Sequence, residues 1–234
     1  MIYVMSDIHG NTPRFESVMQ QIDLKPEDTL YILGDVVDRY PDGIRILRRL
    51  MKMPNVKMLI GNHEYMMLNS LNEPHVRIKS DSPWERARLP KNTRLWYRNG
   101  GEVTHNYIKH IRKDVRNEVT EYLNSLPCNM EVEVNAIKYK LVHASPEENY
   151  QGLAMYDYDS KKEFAVWERW TPSDMVPEGY KLIFGHTPTI HFQNVRPWSI
   201  WKSDEAIGID CGCGYPEGRL ACLRLDDMME FYSK

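Results

Sequence analysis

No stretch of the 234-residue sequence is apolar for long enough to cross a bilayer as a helix, which takes about 20 residues. The first apolar run, Ile2-Tyr3-Val4-Met5, goes straight into Ser6-Asp7 and is too short for the core of a secretion signal. Excess charge is missing as well. Thirty basic residues stand against 33 acidic ones, a formal net charge of −3. There is no electrostatic footprint for nucleic acid and no polybasic segment for a membrane surface. Cysteine is scarce, with only Cys128, Cys211, Cys213 and Cys222. This excludes a disulfide framework, and the thiols are expected to be free and buried. Cys211 and Cys213 form a Cys-x-Cys pair, but no second pair stands at zinc-site spacing. Repeats, low-complexity segments and linkers are absent. These absences lead to the expectation of a cytoplasmic globular protein, one domain over 1–234, with oligomeric state left open.

What is present begins as a strand–helix alternation. Strands are expected at 2–5, 29–33 and 56–60, and helices around 13–22, 42–52 and 63–71. Phe15, Val18, Met19 and Ile22 recur at helical spacing behind Asn11 or Thr12 as N-cap. This rhythm implies a parallel sheet covered by helices. It stops at 72–98, a polar segment punctuated by Pro74, Pro83 and Pro90 and carrying Arg77, Lys79, Arg86, Arg88, Lys91, Arg94 and Arg98. That segment reads as a solvated excursion with two or three short helices, or as a substrate rim. Helices follow at 102–112 and 114–126, so 72–127 forms a largely helical insertion. A hairpin is expected at 130–142, a helix within 160–170, and strands at 180–184, 189–195, 206–210, 219–225 and 229–232. The strands of the back half read as a second, mixed sheet stacked on the first.

Five of the apolar runs end in hard-oxygen or imidazole donors. Asp7 and His9 follow 2–5; Asp35 follows Leu30-Tyr31-Ile32-Leu33-Gly34; Asn62 and His63 follow 56–60. His143 follows Lys140-Leu141-Val142, and His186 follows Leu182-Ile183-Phe184. In open α/β sheets, ligands sit beyond the carboxyl ends of the strands. Carboxylate, imidazole and amide oxygen suit divalent hard or borderline metals. Two such ions about 3.5–4 Å apart can activate water and stabilise in-line displacement at phosphorus. Asp35, on the central strand of three, is the natural bridge. Adjacent side chains leaving a strand point apart, so Asn62 as a ligand frees His63 for proton transfer, with Asp38 to hold its tautomer. Arg39 can fork onto phosphate oxygens. His75, His105, His110 and His191 lack such placement and read as surface or packing residues.

Asp7-Ile8-His9-Gly10, Gly34-Asp35-Val36-Val37-Asp38-Arg39 and Gly61-Asn62-His63-Glu64 resemble the three signatures of the PPP family of phosphoprotein phosphatases, within the calcineurin-like metallophosphoesterases. Leu141-Val142-His143 and Phe184-Gly185-His186-Thr187-Pro188 look like the two further metal-histidine motifs. Ala165-Val166-Trp167-Glu168-Arg169 is similar to the Trp-x-Arg element of the small bacterial and phage members, and Trp96 with Asn99-Gly100-Gly101 also fits. The resemblance runs from residue 2 to about 225. It implies a four-layer αββα sandwich. It places Asp7, His9 and Asp35 on one metal, and Asp35, Asn62, His143 and His186 on the other. Manganese is the expected metal, with iron or zinc as alternatives. Arg39 and Arg169 would clamp phosphate, and Asp38–His63 would be the acid dyad. The implied activity is hydrolysis of a phosphoserine or phosphothreonine ester on a protein or peptide.

Two departures bear on substrate range. Tyr40 stands where the family usually has Gly; it lines the phosphate mouth or packs under the Pro41 turn. Ala144-Ser145 replaces Gly-Gly after His143. Symmetrical dinucleoside polyphosphate (diadenosine tetraphosphate) hydrolases are the enzyme rival, and they generally lack the aspartate matching Asp38. Pro188 replaces the second histidine of the phosphodiesterases and nucleases. A phosphopeptide-binding scaffold on a dead fold would show a missing ligand, and none is missing.

Overall fold

The computed structural model describes residues 1–74, 76, 80, 82–152, 158–193 and 195–234. His75, Arg77 and Lys79 lie outside the described residues. The front half alternates as expected: β1 (Ile2–Met5), α1 (Thr12–Ile22), β2 (Thr29–Ile32), α2 (Gly43–Leu50), β3 (Val56–Met58) and α3 (Asn62–Leu71). The side chain of Asn11 caps α1 by accepting from the Arg14 N–H, and proline occupies the first turn, where its missing N–H costs nothing. The insertion then contributes α4 (Pro83–Ala87), α5 (Lys91–Arg98), α6 (Glu102–Ile108) and α7 (Lys113–Ser125). The back half holds β4 (Asn129–Val134), β5 (Ile137–Val142), α8 (Lys161–Trp167), β6 (Lys181–Phe184), β7 (Trp201–Lys202), β8 (Ala206–Gly208), β9 (Ala221–Arg224) and β10 (Met229–Tyr232). Among the described residues, no helix is long and apolar enough to cross a membrane.

Two mixed five-stranded sheets result, ordered β10-β9-β1-β2-β3 and β4-β5-β6-β8-β7. Their stacking is visible in the period-two alternation of each strand. In β1, Tyr3 and Met5 face the helix-side core while Val4 faces the core shared with the other sheet. Leu30 and Ile32 of β2 likewise face the helices, and Tyr31 faces inward. In β6, Ile183 points into the shared core, and Leu182 and Phe184 point outward to a small cluster with Trp170. The fold is therefore two stacked mixed sheets flanked by helices, as expected.

Two expectations fail. The hairpin β9–β10 belongs to the first sheet, where Val4 stands opposite Leu223 and Met5 opposite Cys222. Its apolar alternation suits either sheet, so pattern alone cannot assign it. The strand expected at 189–195 does not form in its described part. Thr189–His191 is a 3-10 turn capped by Pro188. Its N–H groups are spent on the turn and on the Asp210 carbonyl, to which Thr189 donates at 2.8 Å. Asn194 lies outside the described residues.

Candidate active site

The loops after β1 and β2 are laced together by backbone bonds. Asp7 N–H donates to the Gly34 carbonyl at 3.1 Å, His9 N–H to that of Asp35 at 2.9 Å, and Gly10 N–H to that of Val36 at 2.7 Å. Lacing them requires unusual backbone: Asp7, His9, Asp35, Asp38 and Arg39 all have φ between 50° and 74°. Left-handed backbone at non-glycine residues costs on the order of 1 kcal/mol or more each, and persists only where the surroundings hold it. The brace is Glu64, fully buried on the first turn of α3. Its carboxylate accepts from the N–H groups of Asp35 (2.9 Å), Val36 (2.8 Å), Val37 (3.2 Å) and Gly61 (3.1 Å). Sequence reasoning assigned Glu64 no role, because a Glu in a first helical turn is ordinary.

The six expected metal ligands are brought together. Asp35 Oδ2 lies 3.9 Å from His9 Nε2, and Asp35 Oδ1 lies 3.5 Å from His143 Nε2, so its two oxygens face opposite sets of donors. Asp7 Oδ1 is 3.9 Å from His9 Nε2. Asn62 Oδ1 is 3.0 Å from both His143 Nε2 and His186 Nδ1. Asp7 Oδ2 accepts from Ser6 Oγ at 2.5 Å and from the His186 N–H at 3.1 Å, which ties the two sheets together. A Cβ at Gly185 would stand 2.5 Å from that same Oδ2, so the second sheet comes this close only through glycine.

The proton inventory shows what the cluster fits. His9 Nδ1 faces the Val37 carbonyl, His143 Nδ1 the Leu33 carbonyl, and His186 Nε2 the Trp167 carbonyl. A carbonyl only accepts, so the proton of each neutral ring is on that nitrogen. Burial pushes the imidazolium forms of His9 and His186 well down and that of His143 down, which leaves neutral rings. Their second nitrogens then turn lone pairs toward the lone pairs of Asp35, Asp7 and Asn62. Burial, reinforced by the Asp35 charge, pushes the Asp7 carboxyl up to about 6. Acceptors facing acceptors, with carboxylates crowded in a dry site, are what cations shared through Asp35 would satisfy. The backbone carbonyls behind the rings are the usual orienting partners of metal-binding histidines.

His63 is different. By distance it clusters with His9 and Asp35, their donor atoms within 4.8 Å of one another. Its Nδ1, however, faces the Asp38 carboxylate at 2.7 Å. Burial alone would push its imidazolium down, but Asp35 and Asp38 outweigh that, and the net shift is upward. Its shift runs opposite to that of the other three rings. Asp38 is completely buried and pinned from the insertion: Trp96 Nε1 donates to the same Oδ2 at 2.8 Å, and the Asp38 N–H donates to Thr104 Oγ1 at 3.0 Å. His105 stacks on Trp96 at 5.4 Å, a packing role as expected. Two of the insertion's basic residues are spent locally, Arg86 on Glu102 and Arg88 on Glu85, which favours the solvated excursion over a basic rim.

Arg39 and Arg169 make no ion pair among the described residues. Arg39 is threaded past Gly214, where a Cβ would stand 2.5 Å from its Nη1. The aromatic ring over its guanidinium is that of Tyr215, at 4.9 Å, itself stacked on Trp198. Arg14 straps this loop by donating to the carbonyls of Cys213, Tyr215 and Pro216, each at 2.8 Å. Tyr40 is half-buried and donates its backbone N–H to the His9 and Asp38 carbonyls. Arg169 is exposed, and its charge acts on the His186 ring. Asp210, just beyond β8, was also missed by sequence reasoning. It is buried, accepts from the Gly212 N–H at 2.9 Å, and is pushed well up by burial and by Asp7. Its signal was the same one that marked Asp7: an apolar run ending in a carboxylate. The four cysteines are free and buried. Cys211 Sγ accepts from Thr189 while Cys213 Sγ donates to the Ile8 carbonyl, so the Cys-x-Cys pair is engaged in packing.

The calcineurin-like phosphoesterase family model matches residues 1–223. The chain is 30% identical to serine/threonine-protein phosphatase 2 of Salmonella typhimurium over 173 residues, 72% of this chain and 67% of that protein. It is 24% identical to a symmetrical bis(5'-nucleosyl)-tetraphosphatase of Citrobacter koseri, over 98% of this chain and 93% of that one. In fold it resembles a metallophosphoesterase of Sphaerobacter thermophilus, with a TM-score of 0.53 at 18% identity over 99% of this chain and 85% of that one. With the donor cluster in place at the strand ends and the family matched along almost its whole length, the chain belongs to the calcineurin-like phosphoesterases and is a metallophosphoesterase.

Proposed function

We propose that this metallophosphoesterase hydrolyses phosphomonoesters, with phosphoserine and phosphothreonine of proteins as its substrate class. The observation that carries this reading is the buried Asp38–His63 pair, 2.7 Å apart beside the candidate metal cluster. An alkyl phosphomonoester leaves as an alkoxide, a strong base that needs a proton as the P–O bond breaks. A nucleotide leaving through a phosphate oxygen needs far less help. An acid braced by a carboxylate, by Trp96 and by burial is thus matched to the harder leaving group. The relatives named symmetrical bis(5'-nucleosyl)-tetraphosphatases support the rival reading through overall similarity.

Asp7, His9 and Asp35 would hold one cation, and Asp35, Asn62, His143 and His186 the other. Manganese, iron and zinc all suit this mixture of imidazole and oxygen donors. The two cations, when bound, supply activation of water and charge neutralisation at phosphorus. Arg39 binds phosphoryl oxygens through its planar fork, and Arg169 reaches them from the second sheet's side. His63 gives its Nε2 proton to the leaving oxygen. Asp38 keeps Nδ1 protonated and stabilises the imidazolium until transfer.

The test is a panel with purified protein and Mn²⁺: phosphoserine, phosphothreonine and phosphotyrosine peptides, diadenosine tetraphosphate and a phosphodiester. The expected result is the highest kcat/KM on phosphoserine or phosphothreonine peptides. Efficient hydrolysis of diadenosine tetraphosphate with peptides untouched would reject this reading in favour of its rival.

A further inference from the structure

Next to Arg169, on the outer face of the second sheet, lies an open pocket of about 480 Å³. Its walls include Arg169, Trp170, Thr171, Thr187, Phe192 and Trp201. Thr187 directly follows the candidate ligand His186, and the Arg169 charge acts on that imidazole, so the pocket adjoins the second-sheet side of the site. Its interior is aromatic: Phe192 stacks on Trp201 with ring centroids 5.0 Å apart, and Trp170 packs on Phe184 at 5.1 Å. Trp170 is buried, and among the described residues its indole N–H has no acceptor, which is rare in a folded interior.

We propose that this pocket receives an apolar side chain, aromatic above all, flanking the phosphorylated residue of a peptide substrate. The inference rests on the reading of the chain as a protein phosphatase and adds a sequence preference to it. A guanidinium with no ion pair among the described residues at the rim, and aromatic faces behind it, complement a phosphate with a bulky apolar neighbour. A dinucleoside polyphosphate fits less well. It would carry further phosphates between its base and the scissile phosphorus, and of the pocket's described lining residues only Arg169 is a permanent cation.

The test compares matched phosphoserine peptides with Phe, Leu or Gly at each of the two positions on either side of phosphoserine. p-Nitrophenyl phosphate and diadenosine tetraphosphate are run alongside. Two variants act on the pocket by opposite means. Thr171→Trp fills it from an exposed position, and Phe192→Ala removes a wall. In the wild type, Phe or Leu at one position should raise kcat/KM at least about tenfold over Gly, the effect of burying one large apolar side chain. Both variants should cut that ratio below about threefold, with hydrolysis of p-nitrophenyl phosphate unchanged. Peptides hydrolysed without preference in the wild type would overturn the pocket's role and leave the proposed function standing. A preference surviving in both variants would likewise overturn it. Hydrolysis of diadenosine tetraphosphate with no peptide turnover would overturn both.

Discussion

Asp7, His9, Asp35, Asp38, Arg39, Asn62 and His63 all come from the loops of the first sheet's three parallel strands, within one short stretch of chain. The second sheet supplies His143, His186 and Asp210 one at a time, each at the end of a separate apolar run. Among the described residues, five of the first-sheet group have left-handed backbone, whereas His186 alone does in the second. The strained half is also the braced half. Glu64 gathers four backbone N–H groups beneath it, and the insertion reaches in with Trp96 and Thr104. The second half closes the site over Asn62 and Asp35, each of its residues held by separate contacts: His143 against the Leu33 carbonyl, His186 against the Trp167 carbonyl and Asp7, and Asp210 against the Gly212 N–H. The proposed proton-transfer pair, Asp38–His63, and the proposed bridge, Asp35, therefore both lie on the strained, braced side. That division matches the general need for a preorganised site on rigid elements.

The division can be broken in several places. Asp35→Asn should have the largest effect. One oxygen set is shared by both sheets' donors, so the variant should lose both ions together, and nearly all activity with them. Elemental analysis after loading with Mn²⁺ checks this; wild type holding one ion per chain would reject the shared bridge. Arg39→Ala should cost about 10²-fold in kcat/KM, and Arg39→Lys should recover little of it, because an ammonium is a point charge where a planar fork is needed. Equal activity of Arg39→Lys and wild type would show that Arg39 is no bidentate clamp. Trp96→Phe removes one donor from Asp38 Oδ2. A hydrogen bond to a charged group is worth about 1.5–3 kcal/mol, so kcat on phosphoserine peptides should fall about tenfold or more with metal content intact. Smallest is the pair Tyr215→Ala and Tyr40→Gly. Loss of the ring over Arg39 should raise KM a few-fold, on the order of one exposed cation–π contact. Tyr40→Gly should leave the ranking of substrates unchanged. A changed ranking would mean that Tyr40 lines the mouth after all.

Much of the first-sheet half was legible because its chemistry is local. Each apolar run is followed at once by its donors, so the strand ends and the ligand candidates are read together. His143 and His186 were legible for the same reason, one residue at a time. Asp210 obeys the same rule and was absorbed into the tail of an expected strand. The supports were harder to see. Glu64 is a first-turn glutamate like many others, and only the fold shows it facing four inward-pointing N–H groups. Tyr215 meets Arg39 from far along the chain, and nothing local marks the encounter. The 189–195 segment misled because Thr189, Ile190 and Phe192 favour strands, while Pro188 and the bond to Asp210 impose a turn. The membership of β9–β10 in the first sheet is a pairing choice between two cores that accept the same alternation.

The role of His63 is the most direct test of the whole account. His63→Asn should lower kcat on a phosphoserine peptide about 10²–10⁴-fold, the usual worth of general acid catalysis. On p-nitrophenyl phosphate, whose leaving group departs without a proton, the loss should be far smaller. Bound Mn²⁺ should stay at the wild-type level. An equal loss on both substrates would place His63 in phosphate binding or in positioning the nucleophile. Loss of a metal from the variant would make His63 a ligand and leave the reaction in need of another acid.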